Sequence, residues 1–212
     1  SIAKEKGDKK TISFVGIPFA KPPVGDLRWK APRELDSYPD TFKATTLPNR
    51  CMQVSNFYDS MDGIEGESII GSEDCLYLNI YLSEKAYKSK EKLPVVFWIH
   101  GGGNTWGYSA SNIFTSGDFI LDHDVILVTT NYRLGPFGWF AYSGLNQDSE
   151  NPLDSTANFG TLDIIKSLEW VNKYISFFNG YRECGLRINY KIITFYLLLF
   201  VKIAIHGLTT GE

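Results

Sequence analysis

The sequence predicts an α/β fold in which helices cover a mostly parallel sheet. Two segments, Val95–Ile99 and Val125–Thr129, are almost continuously apolar, as strands buried on both faces are. Between Leu162 and Phe178 apolar residues recur at helical spacing, so this stripe is expected to pack against the sheet. Strands followed by a helix, without an internal repeat of about 20 to 50 residues, indicate a single α/β unit.

Composition places the chain among globular proteins and excludes several functions. Of its 212 residues, 43% are apolar and 15% aromatic, enough to form a sizeable core. The net charge of -3 arises from interspersed signs, so we expect neither nucleic-acid binding nor a polybasic membrane anchor. The apolar run Ile192–Val201 is about half the length of a membrane-spanning helix. No signal peptide is seen in the chain, whose start at Ser1 resembles a cut end.

Before the apolar strands, the chain reads as short strands and loops. Thr11–Gly16 alternates as a strand does, and Leu76–Tyr81 forms a further strand. Residues 51–74 between them are rich in Ser, Asp, Gly and Glu, as a long surface loop is. Cys51 and Cys75 stand at the two ends of this loop. A bond between them would add about 3 kcal/mol of stability in the chain-entropy model.

The most informative motif is His100-Gly101-Gly102-Gly103, directly after the strand that ends at Ile99. Glycines at a strand end let backbone N–H groups approach a ligand without Cβ interference, which suits either a phosphate or an oxyanion. A dinucleotide fingerprint needs a glycine where the chain has Trp106, and no Gly-Lys-Ser/Thr follows for a P-loop. The oxyanion interpretation remains, beside the alternative that the glycines only form a turn.

Seven motifs occur in the order found in type-B carboxylesterases and cholinesterases, and the chain resembles that family over about residues 12–180. The most specific are Glu73-Asp74-Cys75-Leu76 and Asn131-Tyr132-Arg133-Leu134-Gly135. The others are Gly16-Ile17-Pro18-Phe19-Ala20, Pro22-Pro23-Val24-Gly25, Leu27-Arg28-Trp29, the motif at 100–103, and Asn158-Phe159-Gly160-Thr161-Leu162-Asp163. The resemblance implies an α/β-hydrolase fold, of which this chain would be the truncated N-terminal portion.

The resemblance also implies a covalent link and an anion-binding site. In this family a disulfide joins the positions of Cys51 and Cys75. The backbone amides of Gly102 and Gly103 would form the oxyanion hole. Family members usually carry an aromatic residue after the glycines, and Asn104 departs from that pattern.

Two ion pairs are expected from the family as well, Arg28 with Glu73 and Arg133 with Asp163. We interpret both as structural, because a buried paired charge specifies packing rather than acid–base work. His100 is expected to support the glycine loop and not to act as a base, since in this fold the order is Ser, Asp/Glu, His. The three histidines are scattered and no Cys-x-x-Cys occurs, so we expect no metal and no cofactor.

After Gly180 the sequence departs from the family pattern. Relatives continue with Asp-Pro, a short strand and a Gly-x-Ser-x-Gly nucleophile elbow, whereas this chain has Tyr181-Arg182-Glu183-Cys184. The comparable segment, Ile203–Gly211, comes late and carries Thr209 at the serine position. We therefore divide the chain into residues 1–180, the N-terminal part of a carboxylesterase domain, and a divergent tail at 181–212.

Two explanations of this tail are open. Residues 181–200 are a foreign insertion, such as a translated intron, which accounts for the unpaired Cys184; or the match at 203–211 is accidental and the family resemblance ends at Gly180. In both cases the nucleophilic serine, the acid and the base are absent. Loss of such groups costs on the order of 10⁴- to 10⁶-fold in rate, so this chain is predicted to be inactive.

The sequence thus favours a family of carboxylic ester hydrolases that act on small uncharged esters. A choline ester is disfavoured because loop 51–75 lacks the cation-binding tryptophan that cholinesterases carry there. The alternatives are a non-catalytic, cholinesterase-like adhesion protein with a protein partner, which Thr209 fits, and a misassembled product without stable function. By family we expect an extracellular location. An open sheet edge is expected to make the chain poorly soluble.

Overall fold

The computed structural model describes residues 5–181, apart from residues 7–8, 40, 57–58, 60–62, 65, 90, 112–119 and 121. This part of the chain contains, in order, β1 (Glu5–Lys6), β2 (Lys9–Pro18), β3 (Gln53–Val54), β4 (Ile69–Ile70), β5 (Tyr77–Ser83), α1 (Glu84–Ser89), β6 (Val95–Ile99), β7 (Ile126–Thr130), α2 (Gly135–Trp139) and α3 (Phe159–Tyr174). Short 3-10 turns occur at Gly25–Leu27, Pro152–Ser155 and Ile175–Phe178.

Five strands form one mixed sheet in the order β1-β2-β5-β7-β6. β6 and β7 run parallel, with Trp98 opposite Thr129. The pairs β1–β2, β2–β5 and β5–β7 are antiparallel. The sheet predicted to be mostly parallel is therefore mixed over the described residues, because the strands that precede β6 in the chain form an antiparallel side.

β5 and β7 form the buried centre of this sheet. All five residues of β7 are buried, as are six of the seven in β5. Leu78, Ile80 and Leu82 are fully buried on one face of β5, and each such side chain contributes up to about 1.5–3 kcal/mol. β6 is only half-buried along its length, because it is the last strand of the described sheet.

Helix α3 packs against the sheet through the predicted apolar stripe. Ile164, Val171 and Ile175 lie in or against the main core cluster. The α-helical part ends at Tyr174 and a 3-10 turn continues it. The turn is followed by Asn179, whose left-handed φ of 67° is typical of a residue that terminates a helix. The stripe predicted as one helix is thus an α-helix followed by a tighter turn.

The predicted surface loop between Cys51 and Cys75 contains a short pair of strands. β3 and β4 pair within it in antiparallel fashion, with Val54 opposite Ile69. At its start, the Arg50 Nη1 atom lies 2.9 Å from Asp59 Oδ1, and both side chains are largely buried.

Asp154 ties the N-terminal segment to the turn before α3. Its buried carboxylate accepts hydrogen bonds from Ala31 N at 2.9 Å, Arg33 Nη2 at 2.6 Å and Ser149 Oγ at 2.5 Å. Burial alone would raise the pKa of Asp154, but the hydrogen bonds from Arg33, Ser149 and Ala31 outweigh it and lower the pKa overall. The ionised carboxylate therefore stabilises this connection.

Within the described ranges, no helix is long and apolar enough to span a bilayer. The apolar run Ile192–Val201 lies outside those ranges, as does the whole tail after Tyr181.

Candidate active site

The glycine loop, which we define as residues 100–104, leaves the sheet at the C-terminal end of β6. Gly102, Gly103 and Asn104 all adopt positive φ values, 120°, 59° and 63°. A Cβ on Gly102 would overlap the carbonyl oxygen of Trp106, so only glycine fits there. The loop closes on itself because Thr105 N and Trp106 N donate to Gly102 O at 3.0 and 3.3 Å.

The backbone amides of Gly102 and Gly103 are the candidate anion-binding groups. Within the part of the chain that the structure describes, neither N–H donates to a protein acceptor. The end of the loop is fixed, since Gly135 N at the start of α2 donates to Asn104 O at 2.7 Å. Adjacent N–H groups on an anchored loop can stabilise a developing oxyanion.

His100 supports this loop from the protein interior. Its ring is 2% exposed and stacks on Tyr132, with centroids 4.4 Å apart and planes at 16°. The Tyr132 hydroxyl donates to His100 O at 2.9 Å, and His100 Nδ1 lies 3.0 Å from Gly101 O. Burial lowers the pKa of His100 to about 4, so the ring is neutral near pH 7 and Nδ1 carries its proton. These contacts agree with the expected structural role.

The structure brings together the residues of three predicted structural pairs. They are the disulfide Cys51–Cys75, which is confirmed, and the ion pairs Arg28–Glu73 and Arg133–Asp163. Arg133 donates through Nε and Nη2 at 2.8 and 2.7 Å to a carboxylate that is 0% exposed. The Arg28 side chain is 40% exposed, so its pair contributes less to stability.

Sequence reasoning assigned no structural role to two buried asparagines that bind Ser109, five residues after the glycine loop. Asn131 accepts from Ser109 N at 2.9 Å and donates to Cys75 O at 3.2 Å. Asn79 donates to Ser109 Oγ at 3.1 Å and accepts from Gly16 N at 2.9 Å. The signals in the sequence are the polar side chain of Asn79 within the apolar strand β5 and the place of Asn131 in a family motif. These bonds anchor the segment that follows the glycine loop.

The remaining predicted positions lie outside the described residues. Thr209, the residue at the expected nucleophile position, and Cys184 belong to the tail. Among the residues described, no group of three or more His, Cys, Asp or Glu side chains could hold a metal ion. The described site is therefore a candidate anion-binding loop with its supports.

Comparison with known sequences gives consistent matches. A sequence model of the carboxylesterase family matches residues 1–184. Juvenile hormone esterase of Tribolium castaneum is 38% identical over 182 residues, which cover 85% of this chain and 28% of that protein. Acetylcholinesterase 1 of Caenorhabditis briggsae is 37% identical over 177 residues, with coverages of 81% and 27%. Para-nitrobenzyl esterase of Bacillus subtilis is 38% identical over 165 residues, with coverages of 78% and 31%.

Comparison with solved structures gives the same result. A thermophilic PNB esterase superposes with a TM-score of 0.68 at 34% sequence identity, over 84% of this chain and 34% of that chain. The predicted α/β-hydrolase fold class is thereby confirmed. The chain spans less than a third of the length of the three curated relatives named above.

Proposed function

Because this chain belongs to the carboxylesterase family, we propose that the protein in which it works hydrolyses carboxylic esters of small molecules. The observation that carries this proposal is the pair of unbonded amides at Gly102 and Gly103. Attack on an ester carbonyl places negative charge on its oxygen, and these amides would stabilise that charge. Removing one such donor typically costs about 10²- to 10³-fold in rate.

The substrate class that fits best is an uncharged ester. No tryptophan occurs between Cys51 and Cys75, so that loop offers no indole face to a quaternary ammonium group. The position after the glycines holds Asn104 instead of an aromatic residue, which leaves a polar side chain beside the candidate amides. The missing indole face disfavours choline esters.

We also propose that the 212-residue chain is inactive by itself. Its sequence contains no Gly-x-Ser-x-Gly motif. His100 is no substitute for a general base, because burial keeps its ring neutral and neither ring nitrogen contacts a hydroxyl among the described residues. The family match ends at residue 184, which supports a division into a carboxylesterase part at 1–180 and a divergent tail at 181–212.

A second candidate is a non-catalytic adhesion protein of the same fold, which would bind a protein partner. Thr209 in a Gly-x-Thr-x-Gly sequence favours it, because a non-catalytic relative needs no serine there. Either function fits an extracellular location, since the Cys51–Cys75 disulfide persists in oxidising compartments.

The test compares two samples with a fluorescent organophosphonate that labels activated serines and with p-nitrophenyl acetate. One sample is the purified 212-residue chain, and the other is the native protein captured by an antibody against residues 131–181. We expect labelling and hydrolysis by the native protein and neither by the chain. A native protein that does not label would favour the adhesion function. If the 212-residue chain is labelled and its Thr209→Ala variant is not, the chain is active by itself.

A further inference from the structure

Gly107, three residues after the glycine loop, packs directly on the loop's histidine. Its φ is 138°, and a Cβ at this position would overlap the His100 ring and come within 2.6 Å of Gly101 O. The backbone of Gly107 therefore defines how far the His100 ring and Gly101 can move. A contact that holds Gly107 in place therefore also limits the positions of the amides at Gly102 and Gly103, which directly follow Gly101.

The side chain of Gln53 holds Gly107 by both of its backbone polar groups. Gln53 Oε1 accepts from Gly107 N at 2.9 Å, and Gln53 Nε2 donates to Gly107 O at 2.9 Å. The same nitrogen donates to Cys51 O at 2.9 Å, which uses its second hydrogen. Gln53 is 6% exposed, so water does not readily replace these bonds.

Gln53 is itself held by the covalent frame of its loop. It follows the disulfide-bonded Cys51 by two residues and lies in β3, opposite Ile70 of β4. A side-chain amide that bonds to both the N–H and the C=O of one residue imitates the pairing of two residues in neighbouring antiparallel strands. It restrains the two peptide groups on either side of the Gly107 Cα.

We propose that Gln53 is a positioning residue for the oxyanion-binding amides of Gly102 and Gly103, acting through Gly107 and the His100 ring. This inference rests on the proposed function of those amides. The side-chain hydrogen bonds of Gln53 go to Gly107 and Cys51, so its effect is on where the amides lie. Losing this restraint should lower kcat more than it raises KM, because oxyanion donors act mainly in the transition state.

The first measurement is hydrogen–deuterium exchange of the full chain, followed in peptides that span residues 100–111 and in β7 as an internal reference. Gln53→Leu removes the three hydrogen bonds at similar size. We expect exchange in the 100–111 peptides to accelerate on the order of tenfold, since each lost bond contributes a few-fold. Gln147→Leu is the matched control, because among the described residues this exposed glutamine donates to Ser143 O in its own loop.

Gln53→Glu separates positioning from general stability. Burial raises the pKa of the introduced carboxyl group, and below that pKa the neutral acid still donates one hydrogen bond and accepts another. Above it, the carboxylate faces the carbonyl oxygens of Gly107 and Cys51 without a proton. Protection factors in the 100–111 peptides should therefore fall as the pH rises through this pKa, and those of the wild-type chain should not. A flat profile would contradict the proposal, even if Gln53→Leu does not fold.

The catalytic arm uses the native-length protein with p-nitrophenyl acetate. Accelerated exchange with kcat lowered about tenfold and KM nearly unchanged supports the inference. Unchanged exchange in Gln53→Leu overturns it, whatever the activity. If exchange accelerates in Gln53→Leu but kcat is unchanged, the proposed role of Gln53 in the reaction is also overturned. No hydrolysis by the wild-type protein, with exchange still accelerated, refutes the proposed function but supports the control of the loop by Gln53.

Discussion

Replacing Asp163 by Asn should destabilise this chain by about 3 to 5 kcal/mol, because it leaves the Arg133 guanidinium buried without a counter-ion. The two side chains are 0% and 3% exposed. The carboxylate accepts from Arg133 Nε at 2.8 Å, Nη2 at 2.7 Å and the backbone N at 3.0 Å. An asparagine of the same size has one acceptor oxygen instead of two. Its NH2 group would face at least one of these donors, and the side chain carries no charge.

The expected loss of stability is much larger than for an exposed ion pair on the same helix. Lys166 and Glu169 lie 3.1 Å apart on α3, but the Glu169 side chain is 54% exposed. Glu169→Gln should change the free energy of unfolding by less than about 0.5 kcal/mol and is the matched control. The contrast tests whether burial, and not the mere presence of an ion pair, sets the effect.

The assay is pulse proteolysis of the chain across a urea series, which works at low protein concentration and gives the fraction folded at each point. A second variant, Arg133→Met with Asp163→Leu, removes both charges and should recover most of the lost stability. A loss under about 1 kcal/mol in Asp163→Asn would refute the reasoning. So would a double variant as unstable as the single one.

Three further predictions follow from other contacts. Cys51→Ala with Cys75→Ala should lower the free energy of unfolding by about 3 kcal/mol in a urea melt, and equal stability would contradict the entropic argument. Gly107→Ala should increase proteolysis at the glycine loop, because its Cβ overlaps the His100 ring; unchanged cleavage would show that the loop adapts. The lowered pKa of Asp154 means that its stabilisation is fully present above the ordinary value of 3.8 and is lost as the pH falls through the folded value. Asp154→Asn should therefore flatten acid unfolding monitored by tryptophan fluorescence, and an unchanged profile would contradict this.

The fold was predictable wherever apolar patterning and motif order determine it. The run Val125–Thr129 predicted a strand buried on both faces, and β7 at Ile126–Thr130 is such a strand. The spatial order was not predictable from patterning, because β6 precedes β7 in the chain but lies outside it in the sheet. Hydrophobic periodicity reports burial and carries no information about which strand is the neighbour.

The candidate site could be proposed from its glycines but not from its supports. A run of three glycines after a buried strand is visible in any reading of the sequence. Gln53 is 54 residues away from the glycine it binds. From the sequence alone, a glutamine in a Ser- and Asp-rich loop is expected to be solvent-exposed. Asn131 was recognised as part of a family motif, yet its bond to Ser109 requires the chain to fold back. Long-range hydrogen bonds of single polar side chains leave no periodic signal.

The polar anchors around the glycine loop match what the proposed oxyanion-binding loop requires. Its N–H groups must stay unbonded, so the loop cannot be held by pairing them within a sheet or helix. The restraint has to come from the flanking residues. Gln53 binds Gly107, Asn131 binds Ser109 and Gly135 binds Asn104. Because these three anchors come from separate parts of the chain, losing one should shift the loop without unfolding it. A positioning residue differs in this way from a core residue, whose loss lowers the stability of the whole fold.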